Sequence, residues 1–151
     1  GEQQVILNGE NVTAYIRKEE VGNMASATSV YPKVREKLVE LQKELAKKSN
    51  VIMDGRDIGT CVLPDAQVKI YLTASVQTRA KRRYDELKEK GVSCNIEEIQ
   101  KDIEDRDYRD MHREMSPLKQ AEDAVLLDSS ELNIDEVVLA IEKICKEKGI
   151  V

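Results

Sequence analysis

Residues 68–91 read Val68-Lys-Ile-Tyr-Leu-Thr-Ala-Ser-Val-Gln-Thr-Arg-Ala-Lys-Arg-Arg-Tyr-Asp-Glu-Leu-Lys-Glu-Lys-Gly91. Val68 to Leu72 is short, apolar and rich in β-formers, which predicts a strand. Thr73 or Ser75 then caps a predicted helix running to Lys90, and Gly91 stops it. Downstream, Asn95 with Glu98 three positions on resembles a capping box and predicts a helix to at least Met111, broken by Pro117. Ala124-Val-Leu-Leu127 predicts another strand, and Asn133 with Glu136 opens an amphipathic helix ending at Gly149. Upstream, Val51-Ile-Met53 predicts a buried strand that delivers Asp54-Gly-Arg-Asp57 to a loop. Before it, Val34, Leu38, Leu41 and Leu45 recur at helical spacing from Pro32 to about Lys48. The small-residue region before Val30, with Ser26 and Ser29, reads as a loop, and Asn8-Gly9 reads as a hairpin turn. Strand and helix alternate with short connections. That predicts an α/β fold with a parallel sheet flanked by helices on both faces, and ligands beyond the carboxyl ends of its strands.

The bulk composition narrows the function. The chain has 151 residues, a net charge of −5 and 35% charged residues. One domain fits that length. An acidic balance argues against nucleic acid as a partner, because such binders present basic surfaces. The longest apolar run, Val137 to Ile141, is far short of the ~20 residues a membrane span needs, and no signal peptide is evident. The three cysteines, Cys61, Cys94 and Cys145, are too scattered for a disulfide framework or a zinc site. The expectation is a soluble cytoplasmic monomer. With no Trp and no Phe, its core must be aliphatic.

Four groups of residues carry chemistry. Asp54, Arg56 and Asp57 end a predicted buried strand, where charges need partners; a turn with an internal ion pair reads them equally well. Arg106, Arg109, Asp110 and Arg113 share one helical face. Converging guanidinium groups suit phosphate recognition, although a solvated charged face has the same pattern. Arg79, Arg82 and Arg83 lie on the helix after Leu72, where ordinary surface charge is the plain alternative. Arg35 begins a helix just beyond Ser26 and Ser29. His112 is the only histidine; beside arginines it reads as a bystander, and the cysteines read as small apolar fillers.

In order, these motifs resemble the bacterial cytidylate kinases, of the nucleoside monophosphate kinase group of P-loop proteins. The resemblance runs through Ile6-Leu-Asn-Gly-Glu-Asn-Val12, residues 21–26, Tyr31-Pro-Lys-Val-Arg-Glu36, Asp54-Gly-Arg-Asp-Ile-Gly-Thr60 and Leu63-Pro-Asp-Ala66. It continues through Ala80-Lys-Arg-Arg83, residues 104–113, Ser116-Pro-Leu118 and Leu127-Asp-Ser129, and so covers essentially the whole chain. It implies a three-layer P-loop NTPase-like fold and phosphoryl transfer from ATP, with Mg²⁺, to CMP or dCMP. Carried over by motif, Ser26, Arg35 and Asp57 form the cytosine pocket, and Arg56, Arg106, Asp110 and Arg113 contact phosphate and sugar. Arg79, Arg82 and Arg83 fall in a lid, about residues 79–91, that closes over the ATP phosphates. These three with Arg56 and Arg113 are the expected catalytic residues, acting by positioning and charge stabilisation. Residues 1–30 correspond to the remainder of the monophosphate-binding insert and 31–151 to the core domain. No Gly-x-x-x-x-Gly-Lys-[Ser/Thr] occurs among the 151 residues. The first strand with its phosphate loop is therefore expected to be missing, leaving this chain incompetent alone.

Two other readings stand beside the kinase. A non-catalytic nucleotide-binding relative would keep CMP binding without turnover. A helix-rich interaction protein would pair its arginines only with its own carboxylates. Within the kinase class the alternative acceptors are UMP or AMP, and Asp57 paired with Arg35 weighs against both.

Overall fold

The computed structural model describes residues 4–150. Ile6–Leu7 (β1) and Glu10–Asn11 (β2) pair antiparallel across a two-residue turn. Asn8 at φ 51° and Gly9 at φ 87° supply the two left-handed positions that such a tight hairpin turn requires.

Where the sequence suggested a loop, Glu19–Thr28 forms a helix, α1. Its cap position is Lys18, whose side chain caps nothing, so no boundary signal marks its start. Glu19 and Glu20 in the first turn complement the helix dipole instead. Ser26 is its buried residue. Pro32–Ala46 follows as α2, with proline in the first turn as expected.

Val51-Ile-Met53 is not a strand. A strand needs a ladder, and no described residue offers one here: Ile52 is 104% exposed. The segment passes instead into a wide π-type turn at Ile58–Val62, which the sequence did not reveal. There the Asp57 carbonyl accepts from the amides of Cys61 (2.9 Å) and Val62 (3.2 Å). Ile58 and Val62 bury their side chains beneath it. Asp57 is thus held by its own backbone before its carboxylate finds a partner.

Ile70–Thr73 (β3) and Val125–Asp128 (β4) are parallel, in register Ile70↔Val125 to Thr73↔Asp128. Between them run Val76–Glu89 (α3) and Ile96–His112 (α4), which pack on each other and bury Ala80 and Ile99. Ser75 caps α3 by accepting from Thr78, and Asn95 caps α4 by accepting from Glu97 and Glu98. The last helix, Ile134–Glu147 (α5), opens on a complete capping box between Asn133 and Glu136. The α/β class with a short parallel sheet therefore holds, and the buried apolar residues are aliphatic: Ile58, Val62, Ala74, Ala80 and Ile99. Leu72 and Leu126, on opposite faces of the sheet, stay 54% and 56% exposed.

Candidate functional site

One carboxylate organises the site. Asp110, 3% exposed near the end of α4, accepts from the Ser26 hydroxyl at 3.1 Å and from Arg56 Nε at 3.0 Å. Arg113 Nη1 stands 3.8 Å from its Oδ1, and Arg106 Nε 3.9 Å from its Oδ2. Helical spacing places Arg106, Asp110 and Arg113 on one face. α1 and the 55–57 loop bring Ser26 and Arg56 to it. Three guanidinium groups thus surround one anion, which leaves the cluster rich in positive charge.

A second buried pair lies alongside. Arg35 at the start of α2 donates from Nη2 to Asp57 Oδ2, and both residues are buried. They border a groove of about 300 Å³ whose other wall is Leu38, Leu41, Gln42 and Leu45. Arg113 borders another of about 360 Å³ with Val30, Asp105, Tyr108, Arg109 and His112.

Three buried nitrogens have no hydrogen-bond partner among the described residues: Arg35 Nε, Arg106 Nε and Arg113 Nη2. Burying a cationic donor without an acceptor is costly, and all three unmet donors fall in this region. The protonation equilibria agree. Burial pulls the Arg106 and Arg113 guanidinium groups below the usual arginine range, with Arg56 pushing Arg106 and Arg35 pushing Arg113 the same way. Asp110 opposes the effect at both. An anionic guest would lower the energy of these guanidinium groups.

Not every residue singled out from the sequence joins the cluster. Asp54 is exposed and pairs with nothing described. The internal ion pair of a simple turn is absent as well, since Arg56 goes to Asp110 and Asp57 to Arg35. Arg109 makes no ion pair with Asp110 and lies along the second groove. His112 is exposed, stacked on Tyr108 at 4.1 Å.

The α3 arginines are engaged elsewhere. Arg79 donates both terminal nitrogens to Asp107, at 3.0 and 2.6 Å, and its Nε to the Ala74 carbonyl. Arg82 reaches the carboxyl end of β4, donating to Ser129 and to the Leu132 carbonyl. Arg83 pairs with Glu86 at 2.9 Å. Asp107, Ser129 and Leu132 were not foreseen as their partners, because no local spacing links residues 28 to 50 positions apart. Ser116, which holds Arg113 Nε through its carbonyl at 2.8 Å, was missed for another reason: any residue supplies a carbonyl.

The described residues thus form an α/β scaffold in which arginines converge on a carboxylate beside a buried Arg–Asp pair. The sequence model described as Cytidylate kinase matches residues 1–147. The chain belongs to the cytidylate kinase family. It is 55% identical to the cytidylate kinase of Lactobacillus gasseri over 148 residues, 98% of this chain and 64% of that protein. It is 54% identical to that of Streptococcus pneumoniae over 142 residues, 94% of this chain and again 64% of the relative. The chain thus spans 64% of the length of these curated relatives.

Proposed function

We propose that the protein containing these residues transfers a phosphoryl group from ATP to CMP or dCMP, and that this chain supplies the acceptor site. The observation that carries the reading is the set of buried, unpartnered guanidinium nitrogens around Asp110 and beside Asp57. Arg56, Arg106 and Arg113 are assigned to the monophosphate and Asp110 to a sugar hydroxyl, which would replace Ser26 as donor. Ser26, Arg35 and Asp57 are assigned to cytosine. A carboxylate accepts from its exocyclic amine, whereas uracil presents a carbonyl there and leaves buried groups unpaired.

On the donor side the described residues fit less well. Arg79, Arg82 and Arg83 have their forks occupied by Asp107, by Ser129 with Leu132, and by Glu86. Lid arginines must exchange those partners before they meet ATP phosphates. No group of three His, Cys, Asp or Glu residues converges to hold Mg²⁺ among the described residues. By the family resemblance, a phosphate loop supplies the contacts to ATP and Mg²⁺. Residues 1–30 are assigned to the monophosphate-binding insert, 31–151 to the core domain and 79–91 to the lid; residues 1–3 and 151 lie outside the described residues. The assembly is taken as a monomer, and the free thiols of Cys61, Cys94 and Cys145 suit a reducing cytoplasm. No helix among the described residues is long and apolar enough to cross a membrane.

A second reading, non-catalytic CMP binding, rests on the same unpartnered guanidinium nitrogens. Calorimetric titration with CMP, UMP and AMP tests the shared part: CMP should bind in preference. A folded protein that binds none of the three sinks both readings. Formation of CDP from CMP and ATP by the protein containing these residues then separates kinase from non-catalytic binder.

A further inference from the structure

Arg113 is the most enclosed arginine of the Asp110 cluster, its side chain 6% exposed against 41% for Arg56 and 35% for Arg106. Its guanidinium is fixed at two of its three nitrogens. Nε donates to the Ser116 carbonyl at 2.8 Å and Nη1 to the Ser29 hydroxyl at 3.1 Å, leaving Nη2 without a partner. Asp110 Oδ1 lies 3.8 Å from Nη1, too far for a hydrogen bond.

Ser29 is well suited to this hold. It sits at the carboxyl end of α1, where the helix dipole is negative and favours a cation. Its hydroxyl donates its single proton to the Ser26 carbonyl at 2.7 Å. With that proton committed, the oxygen presents lone pairs to Arg113 and can act there only as an acceptor. Ser26 and Ser29, one helical turn apart, therefore clasp α4 at two points: Ser26 on the carboxylate and Ser29 on the guanidinium.

We propose that Ser29 is a positioning residue for acceptor-phosphate binding: it holds Arg113 so that Nη2 stays free for a phosphate oxygen. Without it, Nη1 has Asp110 as its nearest acceptor, and the guanidinium closes on that carboxylate with Nη2 turned away. The assignment rests on the reading of Arg113 as a phosphate ligand. Ser29 touches neither base nor sugar in this scheme, so its loss acts on phosphate recognition alone.

The test is calorimetric titration of wild-type protein and of Ser29→Ala with CMP, UMP and cytidine. CMP and UMP should each weaken about ten- to a hundredfold, as expected for losing one hydrogen bond to a charged group. Their ratio and the affinity for cytidine, which has no phosphate, should not change. Ser29→Thr should restore binding, and Ser29→Cys, which keeps the volume with a poor acceptor, should weaken it as alanine does. In an Arg113→Ala background, Ser29→Ala should have no further effect. Equal CMP affinity in wild-type and Ser29→Ala protein overturns the assignment and leaves the CMP site standing. So does a parallel loss for CMP and cytidine, which marks a merely structural serine. Wild-type protein that binds no CMP removes the functional reading itself, and this assignment with it. Should Ser29→Ala not fold, Ser29→Thr and Ser29→Cys decide alone: equal affinities in those two refute the proposal.

Discussion

Replacing Asp110 by asparagine removes one charge and little volume, and so isolates the electrostatic role of the carboxylate. Its three arginine contacts stand at 3.0, 3.8 and 3.9 Å. At an effective dielectric near 20 each is worth about 4–6 kcal/mol before desolvation. Arg56 and Arg106 are 41% and 35% exposed, so solvent screens them toward the ~0–1 kcal/mol of surface pairs. Arg113 is not screened, and leaving a buried charge uncompensated costs about 3–5 kcal/mol. The expected net loss is about 3 kcal/mol, at the lower end of that range because asparagine can still accept from Ser26. With a urea slope near ~2 kcal/mol per molar, the unfolding midpoint should fall by about 1.5 M. Circular dichroism is the natural probe, as the chain has no Trp. Phosphate added to the buffer should then stabilise Asp110→Asn more than wild type, because it replaces the missing negative charge in the folded state only. A loss below about 0.5 kcal/mol, the size of an ordinary surface change, or equal stabilisation of both proteins by phosphate, would refute the reasoning.

Base and phosphate recognition separate by mutation. Asp57→Ala should weaken CMP relative to UMP, and Arg113→Ala should weaken both alike; an unchanged CMP-to-UMP ratio in Asp57→Ala removes the base assignment. Gly22 lies inside α1, where an added Cβ meets only Arg106 Nη1 at an ordinary 3.6 Å. Gly22→Ala should therefore raise stability by about 0.5–1 kcal/mol in urea unfolding, and a decrease would show that α1 depends on that glycine. At Gly55 a Cβ would stand 2.9 Å from Ile58 Cγ1, so Gly55→Ala should displace buried Ile58 and lower stability by about 1–3 kcal/mol. In an NMR titration, Asp123 and Asp128 should both titrate below the ordinary 3.8, held down by Lys69 and by Ser130. Such depressed groups favour the fold above their unfolded value and cease to do so as pH drops through the folded one. Normal values for both would show that these contacts do not persist in solution.

Cap residues made much of this fold legible. Ser75, Asn95 and Asn133 each start the helix that their position predicted, because a cap is a local contract between one side chain and the next few amides. α1 escaped notice for the converse reason: Lys18 caps nothing, and Gly22-Asn23 interrupts any helical pattern. Val51-Ile-Met53 has a strand's composition, but pairing depends on a neighbour that local sequence cannot supply. The same division runs through the site. Arg106, Asp110 and Arg113 share a face by spacing alone. Ser26 and Arg56 reach Asp110 across 84 and 54 positions, and only the family resemblance pointed to that meeting. Arg79, Arg82 and Arg83 were singled out from the sequence, while Asp107 and Ser129, the groups that hold Arg79 and Arg82 here, were not.

The clasp between α1 and α4 also has a kinetic meaning. Ser26 and Asp110 are 84 positions apart, whereas Arg79 and Asp107, which tie α3 to α4, are 28 apart. Closing the threefold longer loop costs about 1 kcal/mol more chain entropy. The α3–α4 pair should accordingly form early in folding and the α1 clasp late. Weakening Ser26 should then quicken unfolding and leave refolding almost untouched in stopped-flow measurements, so that the α1 end of the molecule is the first part to let go.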